Sequence, residues 1–245
     1  MSGFDLVQGL WIGGSLSKME RLSINSFLKN GHSYHLYTYP DASGNLTIGN
    51  VPLGVVLKDA NEIIPQDQVF LVRGGYSTFS DFFRWRLILE KGGWWVDLDT
   101  ICLKPFDFAF EHVFIGGKGL VGSDDCITSG MFRAPAQSEI MKWGWARCQE
   151  MDPKTMSWGQ AGPPLFTVAV HKFGLLDTVV PGRLFFPVFY TRAPAAFIDR
   201  HTSDDYGDSY SVHLFNEMWR LAGVDKTAIF PENCAYEKLK RRFGA

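Results

Sequence analysis

Apolar residues along the chain fall into short blocks whose spacing alternates between the strand and helix periods. Phe4 to Ile12, with Leu6, Leu10 and Ile12 apolar, reads as a first strand that Gly13-Gly14 breaks. Ser15 or Ser17 can cap a helix running to about Lys29, because Met19, Leu22, Ile24, Phe27 and Leu28 recur at roughly helical spacing. Asn30-Gly31 ends that helix, and Tyr34 to Tyr39 makes a second strand. A chain that begins strand, loop, helix, strand predicts an α/β sheet whose first loop faces a ligand crevice. Residues 41–50 read as a turn or small hairpin, and Val55 to Leu57 as another short strand.

The most informative stretch is 76–105, YSTFSDFFRWRLILEKGGWWVDLDTICLKP. Thr78 to Lys91 has the pattern of a helix, with Gly92 as its C′ residue. Trp94-Trp95-Val96 is a short buried strand, and Asp97-Leu98-Asp99 follows at its C-terminal end. Ile101 to Leu103 resumes as strand until Lys104-Pro105 stops it. Further strands are expected at Gly119 to Val121, Ile127 to Phe132, Thr178 to Val180 and Ser209 to Leu214, and helices at Gln137 to Glu150 and Gly162 to Phe173. No internal repeat, low-complexity tract or long charge run divides the chain. Its 245 residues are therefore expected to form one domain, 1–245.

Composition narrows the function classes. Apolar residues make up 46% and charged residues 20%, as in an ordinary globular protein. A formal net charge of -2 and a pI near 6.3 argue against a dedicated nucleic-acid binder. No window approaches the roughly 18 uninterrupted apolar residues of a membrane span. The opening Met1-Ser2-Gly3-Phe4-Asp5 has neither a charged n-region nor an apolar h-region, so no signal peptide is expected. The cysteines Cys102, Cys126, Cys148 and Cys234 form no C-x-x-C pair, which predicts free thiols and a cytoplasmic location. Aromatics reach 15%, enough to build a bulky core and to spare some faces for flat or sugar-like ligands.

Two carboxylates separated by one residue in an extended segment point to the same face. At a strand end, Asp97 and Asp99 form a double-negative site suited to a hard divalent cation, Mg²⁺ or Mn²⁺, with positions left for phosphate oxygens. Such a cation can neutralise a departing diphosphate. On the preceding helix, Asp81, Arg84, Trp85 and Ile88 share one face at i, i+3, i+4 and i+7. Asp81 and Arg84 can bond sugar hydroxyls there. Alternatively Asp81 forms a capping box with Thr78, and Arg84 a surface ion pair with Asp81.

The string SDFFRWRLILEKGGWWVDLD resembles the sugar-binding segment of a glycosyltransferase family. That family includes the yeast initiating α-1,6-mannosyltransferase, α-1,4-galactosyltransferases, bacterial capsule and exopolysaccharide transferases, and the catalytic domains of large clostridial toxins. Every marked position of S-D-x-x-R followed by G-G-x-[WY]-x-D-x-D is matched. Leu10-Trp11-Ile12-Gly13-Gly14 is similar to the W-I-G segment of these enzymes. The resemblance is clear over about 8–40 and 76–105 and thinner beyond, at Ile127-Thr128-Ser129-Gly130, Gly162-Pro163 and Val212-His213. It implies a GT-A fold, with a mixed central sheet flanked by helices, a divalent metal and retention at the anomeric carbon. Trp11, with Ile12 and Gly13 beside it, would stack on the nucleotide base. Asp81 and Arg84 would hold the donor sugar, with Trp95 at the motif's aromatic position. Asp97 would contact ribose and sugar. Asp99 would bind the metal, and His213 would ligate metal or diphosphate with Asn216 nearby. Asp97, Asp99 and Arg84 would thus form the catalytic set. Ser129 stands where many members have Asn, which bears on the acceptor contact. Residues 1–105 would carry donor and metal, and 106–245 the acceptor side.

The resulting expectation is a retaining, metal-dependent hexosyltransferase of bacterial polysaccharide synthesis. Its donor would be a UDP-hexose first and GDP-mannose second, and its acceptor a saccharide or a lipid-linked sugar. The helix beginning near Gly162-Pro163 can face an anion or the acceptor. Asp124-Asp125 reads as a solvated turn or a second acidic pair. Lys238-Leu239-Lys240-Arg241-Arg242 reads as a solvated helix face, or as weak attraction to an anionic membrane. Two other classes fit the residues less well. Haloacid-dehalogenase-like phosphatases carry D-x-D-x-[TV], but here the fifth residue is Ile101 and β-α-β elements precede Asp97. A carbohydrate-binding protein without turnover accommodates the aromatics but leaves two acids and an arginine at a strand end unexplained.

Overall fold

A computed structural model describes residues 6–117, 126–200, 203 and 205–244. The expected strand at Gly119 to Val121 and the pair Asp124-Asp125 lie outside them. In chain order the elements are β1 (Leu6–Leu10), α1 (Lys18–Lys29), β2 (Ser33–Thr38), β3 (Val55–Asp59), α2 (Ser77–Lys91), β4 (Gly93–Val96), β5 (Thr100–Cys102), β6 (Phe114–Gly116), β7 (Met131–Ala134), α3 (Glu139–Gln149), α4 (Pro163–Lys172), β8 (Val179–Pro181), α5 (Ala195–Ile198), β9 (Ser211–His213), α6 (Asn216–Leu221) and α7 (Ala235–Phe243).

The central sheet has the order β3-β2-β1-β4-β7. β1 runs parallel to both β2 and β4, β2 parallel to β3, and β7 closes the sheet antiparallel to β4. Two small pairs, β5 with β9 and β6 with β8, lie beside it. The expected mixed sheet flanked by helices is thus present. Its strand order reverses between β1 and β4, where an α/β sheet opens a crevice beyond its strand ends.

Local rules account for the elements around that point. Ser17 caps α1: its hydroxyl accepts from Met19 N at 3.2 Å, while Glu20 accepts from the Ser17 N–H at 2.8 Å, completing a capping box. The turn from α2 into β4 needs Gly92-Gly93 because both have positive φ, 67° and 88°. A Cβ on Gly92 would also lie 2.6 Å from Ala136 N. Buried Gln8 in β1 pins this turn through a 2.7 Å bond from Nε2 to the Gly92 carbonyl. One core packs α2, α3 and α4 on the sheet, with Trp85 stacked 3.9 Å from Phe166 and bonded to the Ala161 carbonyl. Two further clusters surround Trp94 and Phe106, and Trp219 and Tyr236. Each of these fully buried aromatics contributes about 1.5–3 kcal/mol of burial.

Several expectations need correction. Of the two readings of residues 41–50, the turn is the one present: Asp41 gathers the Ser43 and Asn45 N–H groups and the Thr47 hydroxyl. The strand expected at Ile127 to Phe132 begins only at Met131. Ile127 makes a single bridge to Gly116, and Ser129-Gly130 bends to meet the acids described below. β6 was not foreseen, and three residues are too short to show a period. Thr78 lies inside α2, whose cap position is Tyr76 without a side-chain bond, so no capping box with Asp81 exists. The C-terminal basic run is a solvated face only in part, at the exposed Arg241 and Arg242. Lys240 is buried and bonded to Glu237 at 2.6 Å, while Arg241 and Arg242 donate to the Glu232 and Leu103 carbonyls.

Candidate functional site

β1 runs out into Trp11-Ile12 and β4 into Asp97-Leu98-Asp99, so both segments emerge at the strand-order reversal. They line a cleft of about 970 Å³. The two acids do not converge by strand alternation. They sit in a turn between β4 and β5, closed by the Thr100 N–H donating to the Asp97 carbonyl at 3.1 Å. The Asp97 N–H is held by the Gly130 carbonyl at 2.8 Å.

Asp97 Oδ1 accepts from Trp95 Nε1 at 2.9 Å and lies 3.2 Å from Arg84 Nη2. Arg84 is only 4% exposed and its donors are occupied. It bonds the Ser80 carbonyl at 3.1 Å, the Ser80 hydroxyl at 2.9 Å and the Ser129 carbonyl at 2.5 Å. It also lies 3.4 Å from Asp81 and 4.8 Å above the Trp95 ring. The expected surface ion pair is therefore a buried cross-link joining α2, β4 and the segment before β7. Ser129 belongs to the same cluster, its hydroxyl donating to Asp81 Oδ1 at 3.2 Å. A Cβ on Gly130 would come 2.9 Å from Asp97 Oδ2, and one on Gly162 equally close to Asp81 Oδ2. Both glycines let backbone close against the acids.

Asp99 is served from the far end of the chain. β5 pairs with β9 so that Thr100 faces His213, and His213 Nε2 comes within 2.7 Å of Asp99 Oδ1. The Asn216 N–H donates to Asp99 Oδ2, also at 2.7 Å. Asp97, Asp99 and His213 each offer one ligand atom, all within 4.8 Å of one another.

The electrostatics divide these acids. Burial pushes Asp81 up to about 6 against the pull of Arg84, with Asp97 adding to the rise. Burial also raises Asp97, opposed by Arg84 and assisted by Asp99. Asp99 goes the other way: burial would raise it, but His213 and the Asn216 N–H outweigh that and hold it below the usual carboxylate range. His213 is raised, because Asp99 overcomes the effect of its burial.

The remaining expected residues are placed as follows. Trp11 and Ile12 line the cleft half-buried, with the Trp11 N–H bonded to the Tyr37 carbonyl at 2.9 Å. Gly13 is exposed behind the Trp11 ring, 3.3 Å from its Nε1 by a Cβ placed there, and does not itself line the cleft. Gly162 is buried behind Asp81, so the cleft is met by Pro163 and Pro164 of α4. Trp95 is 1% exposed and acts through Asp97 and Arg84. Three further residues, Arg220, Tyr76 and Tyr34, escaped the sequence reading, while Trp158 belongs to the loop read as leading into the helix at Gly162-Pro163. Arg220 lies at the cleft with its side chain 59% exposed and paired to Glu217. Tyr76 and Trp158 are exposed aromatics on the cleft. The buried Tyr34 hydroxyl has no hydrogen-bond partner among the described residues and feels both Asp97 and Asp99. Trp158, an aromatic inside a Gly- and Pro-rich loop, carried a visible signal, whereas Tyr34 reads as ordinary core strand.

No protein-family model and no curated protein matches the chain. Among solved structures, GlyE, a glycosyltransferase of Streptococcus pneumoniae TIGR4, is 14% identical over 73% of this chain with a TM-score of 0.42. Its apo form is 13% identical over 73% with a TM-score of 0.38. The chain spans 45% and 44% of those two chains. The PaToxG glycosyltransferase is 16% identical, over 98% of this chain and 85% of its own, with a TM-score of 0.51. The fold is GT-A-like. Among the described residues no helix is long and apolar enough to cross a membrane.

Proposed function

We propose that this protein is a retaining, divalent-metal-dependent glycosyltransferase that moves a hexose from a nucleotide sugar to a saccharide or glycolipid. UDP-hexose is the first choice of donor and GDP-mannose the second. The observation that carries this reading is the meeting of Asp97, Asp99 and His213 at the strand-order reversal beside Trp11. The GT-A-like fold and the S-D-x-x-R…D-x-D segment support it. Residues 1–105 would supply donor and metal contacts and 106–245 the acceptor side, with His213 reaching back to Asp99.

The donor set suits a divalent cation. Two carboxylate oxygens and one imidazole nitrogen match Mn²⁺ well and Mg²⁺ acceptably. Asp99 lies 2.7 Å from His213 Nε2 and favours the protonated imidazole, so a cation would compete with that proton and its affinity would fall as pH drops. Once bound, the cation would stabilise the negative charge of the diphosphate as it leaves.

The chain's own residues would do the rest. Trp11 would stack on the base. Arg84 and Trp95 would hold Asp97 toward ribose and sugar, and Asp81 would complete the sugar side. Arg220, an exposed cation at the cleft, would face the diphosphate. The acceptor oxygen forms a bond to the anomeric carbon as the carbon–oxygen bond to the diphosphate breaks, and the hydroxyl proton passes to the departing phosphate oxygen. The other cleft carboxylates are engaged: Glu20 with the Ser17 N–H and Lys226, and Glu217 with Arg220. This supports same-face attack without a protein nucleophile. Four buried free cysteines suit a reducing cytoplasm. The exposed Arg241 and Arg242 would attract an anionic membrane bearing a lipid-linked acceptor.

The test is a thermal-shift screen of nucleotide sugars with and without Mn²⁺, followed by turnover. A donor should raise the melting temperature more with Mn²⁺ than without, and Asp99→Ala should abolish metal-dependent release of the nucleoside diphosphate. Near-wild-type release by Asp99→Ala would sink the assignment. Binding without turnover of any donor would leave a carbohydrate-binding protein.

A further inference from the structure

The cleft is chemically divided. Its floor and its α6 side carry the acidic and basic side chains Asp97, Asp99, Glu217 and Arg220. The other wall, built from the start of α2, the loop around Trp158 and the start of α4, presents Tyr76, Ser77, Ser80, Trp158, Pro163 and Thr167. None of these is charged. Asp81, one turn further along α2, turns its carboxylate into the buried cluster with Arg84 and Ser129.

Two large aromatic side chains stand exposed on this neutral wall, Trp158 at 44% and Tyr76 at 40%. Both are held there by local structure. Arg73 and Gly74 take positive φ, 53° and 75°, in a tight turn closed by paired Val72–Gly75 backbone bonds of 3.1 Å, and this turn delivers Tyr76. The Trp158 indole N–H donates to Ser77 Oγ at 3.0 Å, tying its loop to α2. The loop is closed on itself by Gln160 Oε1, which accepts from the Ser157 N–H at 3.0 Å. An exposed aromatic loses little freedom on meeting a ligand when it is already anchored.

Resting on the glycosyltransferase reading, we infer that this wall is the acceptor subsite and that it takes an uncharged carbohydrate chain, with Trp158 and Tyr76 as its stacking surface. The C–H faces of a pyranose pack on aromatic rings while its hydroxyls need neutral donors and acceptors close by. Ser77 Oγ, accepting from Trp158, keeps its own proton to donate to such a hydroxyl. Among the described residues of this wall, a phosphorylated or acidic acceptor finds no cation and a basic peptide no exposed carboxylate. The charged half is left to the diphosphate.

The experiment measures binding of cellopentaose, maltopentaose and chitopentaose by saturation-transfer NMR without donor, beside an acidic and a basic decapeptide. UDP release from UDP-glucose with Mn²⁺ is followed in parallel. At least one pentasaccharide should bind. Trp158→Ala should weaken it about tenfold or more, the scale of losing one aromatic anchor, while UDP affinity changes less than about twofold. Trp158→Phe should keep most of the binding, since it retains a ring and loses only the bond to Ser77. The inference is overturned if no pentasaccharide binds the wild type, if Trp158→Ala binds as the wild type does, or if only a decapeptide binds. Trp158-dependent sugar binding without turnover of any nucleotide sugar would refute the transferase reading and leave the subsite standing. Turnover without pentasaccharide binding would do the reverse.

Discussion

Replacing Asp81 by Asn should make the metal-free protein more stable at neutral pH. Asp81 is 6% exposed, and burial moves it from an ordinary 3.8 up to about 6 despite Arg84 at 3.4 Å. Between those values the folded chain keeps a proton that the unfolded chain has lost, so stability falls as pH rises through that window. Each pH unit is 1.36 kcal/mol, so ionised Asp81 costs the native state roughly 3 kcal/mol above pH 6. Asn is neutral throughout and escapes this cost. That figure already contains the pull of Arg84, which keeps Asp97 at 3.2 Å; the gain is offset in part because an amide replaces the carboxylate that accepts from Ser129. A net gain of about 1–3 kcal/mol remains at pH 7, or roughly 2–4 °C in melting temperature per kcal/mol for a chain of this size. Urea unfolding of both proteins from pH 4 to 7.5, with chelator present to remove metal linkage, measures it. The difference should be near zero at pH 4 and grow toward pH 6.5. A difference flat across that range would refute the reasoning. Activity should fall in the same variant, a cost expected where a charge is held at a site against its own stability.

Gly144→Ala tests the core beneath the site. Alanine is about 1 kcal/mol better than glycine in a helix, but a Cβ at position 144 would lie 2.2 Å from the Trp85 ring, which Phe166 and the Ala161 carbonyl hold in place. The overpacking should win, with a net loss of about 1–3 kcal/mol in denaturant unfolding, and a stabilised variant would show that Trp85 can move. Trp11→Ala should weaken binding of UDP, measured calorimetrically, by about 1–3 kcal/mol, the scale of one base–aromatic stack; unchanged affinity would remove Trp11 from the donor site.

What could be read from the sequence, and what could not, follows the range of the interactions. The Ser17 capping and the glycines between α2 and β4 are set by neighbouring residues. Local spacing therefore revealed them, and with them the placement of Asp81, Arg84 and Asp97 around one strand end. The parallel strands were legible as alternating blocks because each is flanked by a long helix or a turn. The partner of Asp99 was accessible only through resemblance, since nothing local to His213 announces it. The His213–Asp99 contact spans 114 residues and depends on the three-residue strands β5 and β9 pairing in one register. A slip of one residue there would turn the His213 side chain to the opposite face. That register is fixed from outside the site, because β9 carries Val212, buried with Ile101, Leu214 and Trp219 in the core closed by α7. The C-terminal helix, where the sequence suggested a surface for solvent or lipid, thus helps position the imidazole. The candidate metal site is completed by packing far from the two acids that first marked it.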